Sequence, residues 1–464
     1  MTPLPLSQLA EWSGGTLSAP KAEASVSRLS TDSRTLRPGE LFVALRGDNF
    51  DGHHFLDDAA KRGAVGALIN TSWNGTTPNA LGLIRVADTL VSYQQIAAAY
   101  RQTLALKVIA ITGSNGKTST KDFTAAVLAS RFRVTKTEGN LNNHVGLPRT
   151  MLEATSSDEI AVWEIGMNHA GEVAALAKLA APDIAIITNV GIAHIEFFGS
   201  REAIAIEKGA LVETLTAEGT AILNADDPFS ASIAKRTAAK VVLVGLNSGL
   251  VRAENIRQTA EGSQFTIVED SGRCGARLPV PGLHMVQNAI LAVAAGRVLG
   301  LSLEECAAGL MAAPLTKSRL QIKSVRGRRF IDDSYNANPD SMKAALLTLT
   351  EIEVAGRRIA VLGEMSELGA ESERGHREVG EAAAKLRIDL LITIGETAAA
   401  MARAAQSAGL KNAVALGSAE GAAEFLAKNA GPDDVVLVKG SRTARTERVL
   451  DEFAKLHPVG RTAR

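Results

Sequence analysis

Val108-Ile109-Ala110-Ile111-Thr112-Gly113-Ser114-Asn115-Gly116-Lys117-Thr118 is the stretch whose reading decides the fold. Its four apolar residues read as a buried strand, residues 118 to 130 read as a helix, and a glycine-bearing turn joins the two. In that setting backbone N–H groups and a helix N-terminus converge on a phosphate chain. Lys117 can then reach the β and γ oxygens, and Thr118 can hold Mg2+. The full phosphate-loop pattern asks for Gly at 111, where this chain has Ile, so the loop is a shorter one that starts at Gly113. An ordinary glycine-rich turn with a solvated lysine would use the same letters. The coincidence of strand, glycines, Lys-Thr pair and helix favours a nucleotide site instead. A phosphate site alone does not choose among kinase, switch and ligase.

Working outward, Ile160-Ala161-Val162-Trp163, Ile184-Ala185-Ile186-Ile187 and Ala221-Ile222-Leu223 are short apolar runs closed by polar or glycine-bearing turns. Such runs alternating with helical patterns predict a mainly parallel sheet. Residues 251 to 280 break the pattern and predict a small antiparallel excursion before a helix from about 286 to 299. Ile359-Ala360-Val361-Leu362, Leu390-Leu391-Ile392-Thr393-Ile394 and Val435-Val436-Leu437-Val438 begin a second βα series after Pro314. Upstream, Leu41-Phe42-Val43-Ala44-Leu45 and Ala64-Val65-Gly66-Ala67-Leu68-Ile69 fit a small α/β domain. Helical spacing of Leu90, Tyr93, Ile96, Ala97 and Tyr100 predicts a linking helix from 88 to 104. The expected division is therefore an α/β chain of three domains, 1–86, 87–314 and 315–464.

A chain of 464 residues exceeds what one core usually organises, in keeping with three domains. Lys plus Arg balances Asp plus Glu at 50 each, so no general attraction to nucleic acid or an anionic membrane is expected. Any anionic ligand must be caught locally. Cys274 and Cys306 are too few for a disulfide framework and fit a reducing compartment. The start of the chain lacks a basic segment followed by an apolar run, and no membrane-length apolar stretch occurs, so a soluble, non-exported protein is expected.

Several further segments carry candidate chemistry. Glu164 ends a central strand and should emerge at the carboxyl edge of the sheet, where it can ligate a metal or merely cap a helix. Thr188-Asn189-Val190-Gly191-Ile192-Ala193-His194 brings His194 to the same edge; an imidazole there can ligate a cation or orient a phosphate, although a polar loop histidine commonly does neither. Lys208 reads by itself as a snorkelling helical lysine beside Glu207. Gly139-Asn140-Leu141-Asn142-Asn143-His144-Val145-Gly146-Leu147-Pro148 reads as a loop whose amides suit a polar substrate, or as an Asx-turn cluster. Asp332-Asp333-Ser334-Tyr335-Asn336-Ala337-Asn338-Pro339 is a dense polar turn able to bind ribose, metal-bound water or a second substrate, and turn chemistry alone also accounts for its composition. Lys439-Gly440-Ser441-Arg442 places cations and N–H donors at a strand end, where they can hold a carboxylate or phosphate.

Taken together, these residues resemble the Mur ligases. The likeness runs through Thr31-Asp32-Ser33-Arg34, Gly39-Glu40-Leu41-Phe42-Val43-Ala44, and the segments 112–119, 139–148, 164–172, 188–200, 332–342 and 439–442. It implies a UDP-sugar-binding N-terminal domain, a central P-loop-type ATPase domain and a Rossmann-like C-terminal domain that closes over the site. It implies ATP and Mg2+, and an amide-bond ligation that adds D-alanyl-D-alanine to UDP-N-acetylmuramoyl-tripeptide through an acyl phosphate, in peptidoglycan precursor synthesis. A cytoplasmic monomer is expected. The Asp-Asn-Pro-Arg signature of the ligases that add the third residue is absent.

Carried over residue by residue, the resemblance puts Gly113, Ser114, Asn115, Gly116, Lys117, Thr118 and Ser119 around the phosphates. Asn288, Arg319 and Asp333 would meet adenine, phosphates and ribose. Ser33 and Arg34 would lie by the UDP end, and Asn140, Asn142 and Asn143 along the muramoyl-peptide path. Tyr335, Asn336 and Asn338 would contact the dipeptide, with Lys439 and Arg442 also on substrate. Thr118, Glu164, His194 and Lys208 would serve metal, Lys208 as a carbamate, and Lys117, His194 and Lys208 would be catalytic. The chain departs from the family at Ala210, where an acidic residue is common. A ligase of the folylpolyglutamate type and a nucleotide-dependent switch share the phosphate turn and stay open at this level.

Overall fold

The computed structural model describes residues 1–18, 22–259, 261–314 and 316–456, and its α/β architecture rests on three large sheets. The expected third domain, 315–464, begins and ends on residues outside those described. The first sheet has the order Thr16–Ser18, Gly82–Val86, Gly66–Asn70, Glu40–Val43, Arg28–Ser30, parallel except at its first pair.

The central sheet has nine strands. Val134–Lys136, Ile160–Glu164, Lys107–Thr112, Ile184–Ile187, Thr220–Asn224, Lys240–Gly245 and Val251–Thr259 run parallel. The inner members are apolar at nearly every position because helices cover both faces. Gly262–Glu269 and Gly272–Leu278 then extend the edge antiparallel, which is the excursion expected over 251 to 280. The strand Lys107–Thr112 lies between one neighbour reached on its left and another on its right. Such a switch point opens a crevice beyond the carboxyl ends of the strands. Register aligns those ends, with Ile111 opposite Glu164 and Thr112 opposite Ile187.

The last sheet pairs Gln321–Val325 and Arg328–Asp333 as a hairpin, then runs parallel through Val435–Lys439, Arg358–Gly363, Leu390–Ile394 and Ala413–Leu416. The helix Leu283–Val298 is buried around nearly its whole circumference and packs on the phosphate-loop helix Lys117–Leu128. One expectation needs correction: 139–148 is not loop throughout. Its last three residues open the helix Gly146–Glu153, because Asn143 Oδ1 accepts the N–H groups of Val145 and Gly146, and Pro148 falls in the first turn, where it is tolerated. Among the described residues no helix is long and apolar enough to cross a membrane.

The linking helix runs over Thr89–Gln102, capped by Asp88, whose carboxylate accepts from Leu90 and Val91. Near its end the Tyr100 hydroxyl accepts from Thr2 N–H at 2.9 Å and donates to the Ala154 carbonyl at 2.8 Å. One phenol thus ties the first segment to the central domain. Tyr100→Phe is expected to cost about 1–3 kcal/mol, since it orphans the buried Ala154 carbonyl. A urea midpoint equal to that of the unaltered chain would show that the hydroxyl holds nothing.

Candidate active site

The phosphate turn is strapped to the end of the adjacent strand. Ser114 N–H donates to Asn189 C=O at 2.9 Å, Asn115 N–H to Asn189 Oδ1 at 3.0 Å, and the Thr188 hydroxyl to Asn115 C=O at 2.6 Å. Gly191 N–H returns a bond to Ser114 Oγ at 2.8 Å. Two glycines are required here. At Gly113, φ is 152° and a Cβ would stand 1.8 Å from Thr188 Oγ1; at Gly116, φ is 82° and a Cβ would stand 2.3 Å from Asn288 Oδ1. The helix that starts at Lys117 leaves its first N–H groups, through Ser119, without intrahelical acceptors. Lys117 folds back, its Nζ donating to Gly113 C=O at 2.7 Å, and burial lowers its pKa, with Arg319 adding to the effect and Glu164 and Glu367 opposing it.

Glu164 ends its strand at the crevice. Its N–H donates to Thr137 Oγ1 at 2.9 Å and its Oε1 accepts from Asn142 at 2.8 Å, while Oε2 is buried with no partner. A buried carboxylate oxygen without a donor fits a cation, which would remove the cost of leaving it bare. Thr118, one strand away, offers a hydroxyl oxygen that now accepts from Arg319 at 3.1 Å. His194, in a left-handed conformation at φ 64°, stands 2.7 Å from Glu367, which is itself left-handed at φ 61°. This contact crosses from the central sheet to the last one.

Lys208 does not snorkel. It is 1% exposed, and its Nζ lies 3.5 Å from the sulfur of Met167, behind the residues that line the cavity. Its neighbour Glu207 is taken up by the N–H groups of Gly171 and Val173, both at 2.8 Å. Burial therefore holds the Lys208 pKa well below the ordinary lysine value; nearby Lys117 adds to the effect and Glu207 opposes it.

From the last sheet, Asp333 and Lys439 pair at 2.6 Å, and Lys439 also donates to Asn336 C=O at 2.9 Å. The adjacent Asp332 points to the other face, as strand alternation requires, where Lys323, Ser318 and Ser334 satisfy it. Arg319 stacks over the Tyr335 ring at 4.4 Å. Asn338, expected to touch the dipeptide, has both amide atoms committed. Its Oδ1 caps the helix Pro339–Glu351 through Ser341 N–H, and its Nδ2 donates to Asn115 Oδ1 at 2.8 Å. It therefore acts as a cap and a clamp between domains while still lining the cavity, with a second N–H on Nδ2 left for a ligand.

These groups enclose a cavity of about 410 Å3, lined among others by Lys117, Glu164, His194, Asn288, Asp333 and Tyr335. Asn140, Asn142, Asn143, Asn336, Lys439 and the exposed Arg442, paired with Glu447, also line it. Ser33 and Arg34 do not; they sit on a turn of the first domain, Arg34 paired with Asp32. Sequence reasoning missed His284, Glu367, Ser366 and Thr443, all in the lining, and Asp340, whose carboxylate accepts from Ile192 N–H at 3.2 Å. No spacing marks them: His284 and Asp340 open two different helices, Ser366 and Glu367 follow one strand, and Thr443 follows another. Burial, opposed by Asp333 and aided by Lys439, lowers His284 to a pKa of about 4, so its imidazole is neutral at pH 7.

The fold and cavity define a phosphate-loop α/β protein whose last domain lines one side of a nucleotide-type site. Three family models match in succession: the Mur ligase family catalytic domain over residues 25–109, the Mur ligase middle domain over 111–296 and the Mur ligase glutamate ligase domain over 318–442. The chain is 38% identical over 453 residues to the UDP-N-acetylmuramoyl-tripeptide–D-alanyl-D-alanine ligase of Bacillus subtilis, covering 96% of this chain and 97% of the relative. With the ligase of the same name from Escherichia coli it shares 37% identity over 467 residues, covering 97% and 98%. Among solved structures, MurF from Acinetobacter baumannii superposes with a TM-score of 0.91 at 33% identity, covering 98% of this chain and 100% of that one. The MurF ligase from Thermotoga maritima in complex with ADP superposes with a TM-score of 0.83 at 28% identity, covering 92% and 97%. The chain belongs to the Mur ligase family.

Gly113→Ala is expected to weaken ADP by at least about ten- to a hundredfold, since the turn must shift away from Thr188 as well as bear roughly 1–3 kcal/mol of backbone strain. Calorimetric titration with ADP checks this; unchanged affinity would mean that the turn does not contact the nucleotide.

Proposed function

We propose that this chain is an ATP-dependent ligase that joins the amine of D-alanyl-D-alanine to the terminal carboxylate of UDP-N-acetylmuramoyl-tripeptide. The observation that carries the reading is one cavity in which the phosphate turn, the bare Glu164 oxygen and the Asp333–Lys439 pair converge. The names of relatives that match nearly end to end support the substrates. In this reading the three sheets with their helices form domains 1–86, 87–314 and 315–464, the first binding the UDP end near Ser33 and Arg34. In the same reading the working unit is a monomer, acting in the cytoplasm, where ATP and nucleotide-linked precursors are at hand.

The chemistry follows from charge. A carboxylate oxygen attacks the γ-phosphorus and the bond to the β-phosphate oxygen breaks, giving an acyl phosphate and ADP. Both reactants are anions, so Lys117 must leave the Gly113 carbonyl and spread its charge over the transferring group, with Arg319 beside it. Thr118 and Glu164 are the residues fit to hold Mg2+, which when bound offsets charge on the phosphates. The amine nitrogen then attacks the acyl carbon, the bond to phosphate oxygen breaks, and phosphate leaves. His194, oriented by Glu367, is placed to take the amine proton. Closure of the last domain keeps water from the anhydride.

Lys208 enters as a carbamate. Burial holds its pKa well below the ordinary lysine value and so favours the free-base form, which can attack carbon dioxide, forming an N–C bond and losing a proton; the product is a carboxylate able to ligate a cation. Loss of ligation in Lys208→Ala, with partial recovery on adding short carboxylic acids, is expected; full activity without the lysine counts against it.

Mass spectrometry of the products from ATP, UDP-N-acetylmuramoyl-tripeptide and D-alanyl-D-alanine tests the main reading. The pentapeptide precursor is expected from the unaltered chain, and about 10²–10³-fold less of it from Lys117→Ala. Phosphate release that needs neither the UDP-peptide nor an amine would point to a switch instead.

A further inference from the structure

Asp122 sits one turn beyond Thr118 on the phosphate-loop helix, buried among charges that the reaction above does not use. Its Oδ1 accepts from Lys136 Nζ at 2.7 Å, with Lys121 Nζ 3.4 Å away, and its Oδ2 accepts the Thr316 hydroxyl at 2.7 Å. Burial alone would raise its carboxyl pKa, but Lys121, Lys136 and Thr316 together hold it below the usual carboxylate range. Lys121, 2% exposed, donates to Thr137 C=O at 2.7 Å, and Thr137 Oγ1 accepts the N–H of Glu164 at 2.9 Å. A chain of hydrogen bonds with one ion-pair link, between Asp122 and Lys121, therefore runs from residue 316 to the backbone that carries the Glu164 carboxylate. In such a buried network, losing one partner leaves the others poorly satisfied.

Thr316 lies in the connection to the last sheet. Three residues on, Arg319 donates to Thr118 Oγ1 at 3.1 Å; Thr118 and Asp122 share one helix face, so the connection lies along that face. Between its anchor and the strand Gln321–Val325, Ser318 at φ 55° and Leu320 at φ 50° are left-handed, a conformation costly for residues with a Cβ. Bonds to the last sheet hold them there: Ser318 Oγ donates to Asp332, and Leu320 N–H to Asp333. Strain is thus stored where the two sheets are joined.

Resting on the ATP and Mg2+ reading above, we propose that Asp122 is a positioning residue: it senses the seating of the 316–320 connection through Thr316 and transmits it through Lys121 and Thr137 to Glu164. The cation site is then complete only when the last domain is seated.

Thr316→Val keeps the side-chain shape and removes the hydroxyl, whereas Thr316→Ser keeps the hydroxyl. Mg2+ is titrated calorimetrically into each chain saturated with ADP, beside the Mg2+ dependence of ligation. Removing a residue that orients a metal ligand alters metal affinity about 10–100-fold, so Thr316→Val is expected to bind Mg2+ about tenfold more weakly. Metal-free ADP affinity and kcat at saturating Mg2+ should be retained, and Thr316→Ser should match the unaltered chain. Asp122→Asn should move Mg2+ affinity further in the same direction; if it does not fold, the Thr316 pair decides. Unchanged Mg2+ affinity in Thr316→Val, with or without a lower melting temperature, overturns the proposal, as does a Thr316→Ser chain equally impaired. An unaltered chain that binds ADP but no Mg2+ would instead defeat the functional reading beneath it.

Discussion

Three parallel strands that finish level with one another set the position of the chemical groups. Lys107–Thr112 is flanked by Ile160–Glu164 and Ile184–Ile187, and hydrogen-bond register puts Ile111 beside Glu164 and Thr112 beside Ile187. The next residue on each strand must leave the sheet, so the phosphate turn, the carboxylate and the Thr188–His194 segment emerge together. Gly113 has no room for a side chain against Thr188, and this fixes the turn's path toward the helix at Lys117.

The last domain meets this platform through apolar packing continuous with the central core and through polar contacts: Asn338 to Asn115, Asp340 to Ile192, Glu367 to His194 and Arg319 to Thr118. The polar links among them, at the rim of the cavity, can be broken and remade with modest net cost. That suits a domain that must admit substrates and then exclude water. The cavity between the domains gathers Lys117, Arg319 and Lys439 around the carboxylates Glu164, Asp333 and Glu367. Burial of Lys117 and Lys208 lowers both pKa values, an arrangement that phosphate and carbamate would relieve.

Much of the fold was legible in the residues because it is local. Apolar runs closed by glycine announced the strands, the break in composition at 251–280 announced the antiparallel edge, and the spacing of Tyr93, Ile96, Ala97 and Tyr100 announced the linking helix. The start of the helix at Gly146 was hidden because Asn143 Oδ1, by accepting the Val145 and Gly146 N–H groups, turns the chain into the helix despite the glycine-rich composition. The edge strand Val134–Lys136 is three residues long, too short for a periodicity to register.

By itself, the sequence determined which side chains were available to the chemistry and where each stood along its own strand or turn, since glycine placement and strand ends are properties of contiguous residues. Only the tertiary structure decided how those side chains are employed. It separated Asp333 on the cavity from Asp332 on the opposite face, committed Asn338 to a cap and a clamp, and sank Lys208 beyond reach of water. It also brought in His284 and Asp340 from the starts of two distant helices and Glu367 from the loop after a strand. The physical reason is that burial and partnership depend on which chains cross nearby in space, and the residues that bury Lys208 or face His194 lie far from them in sequence.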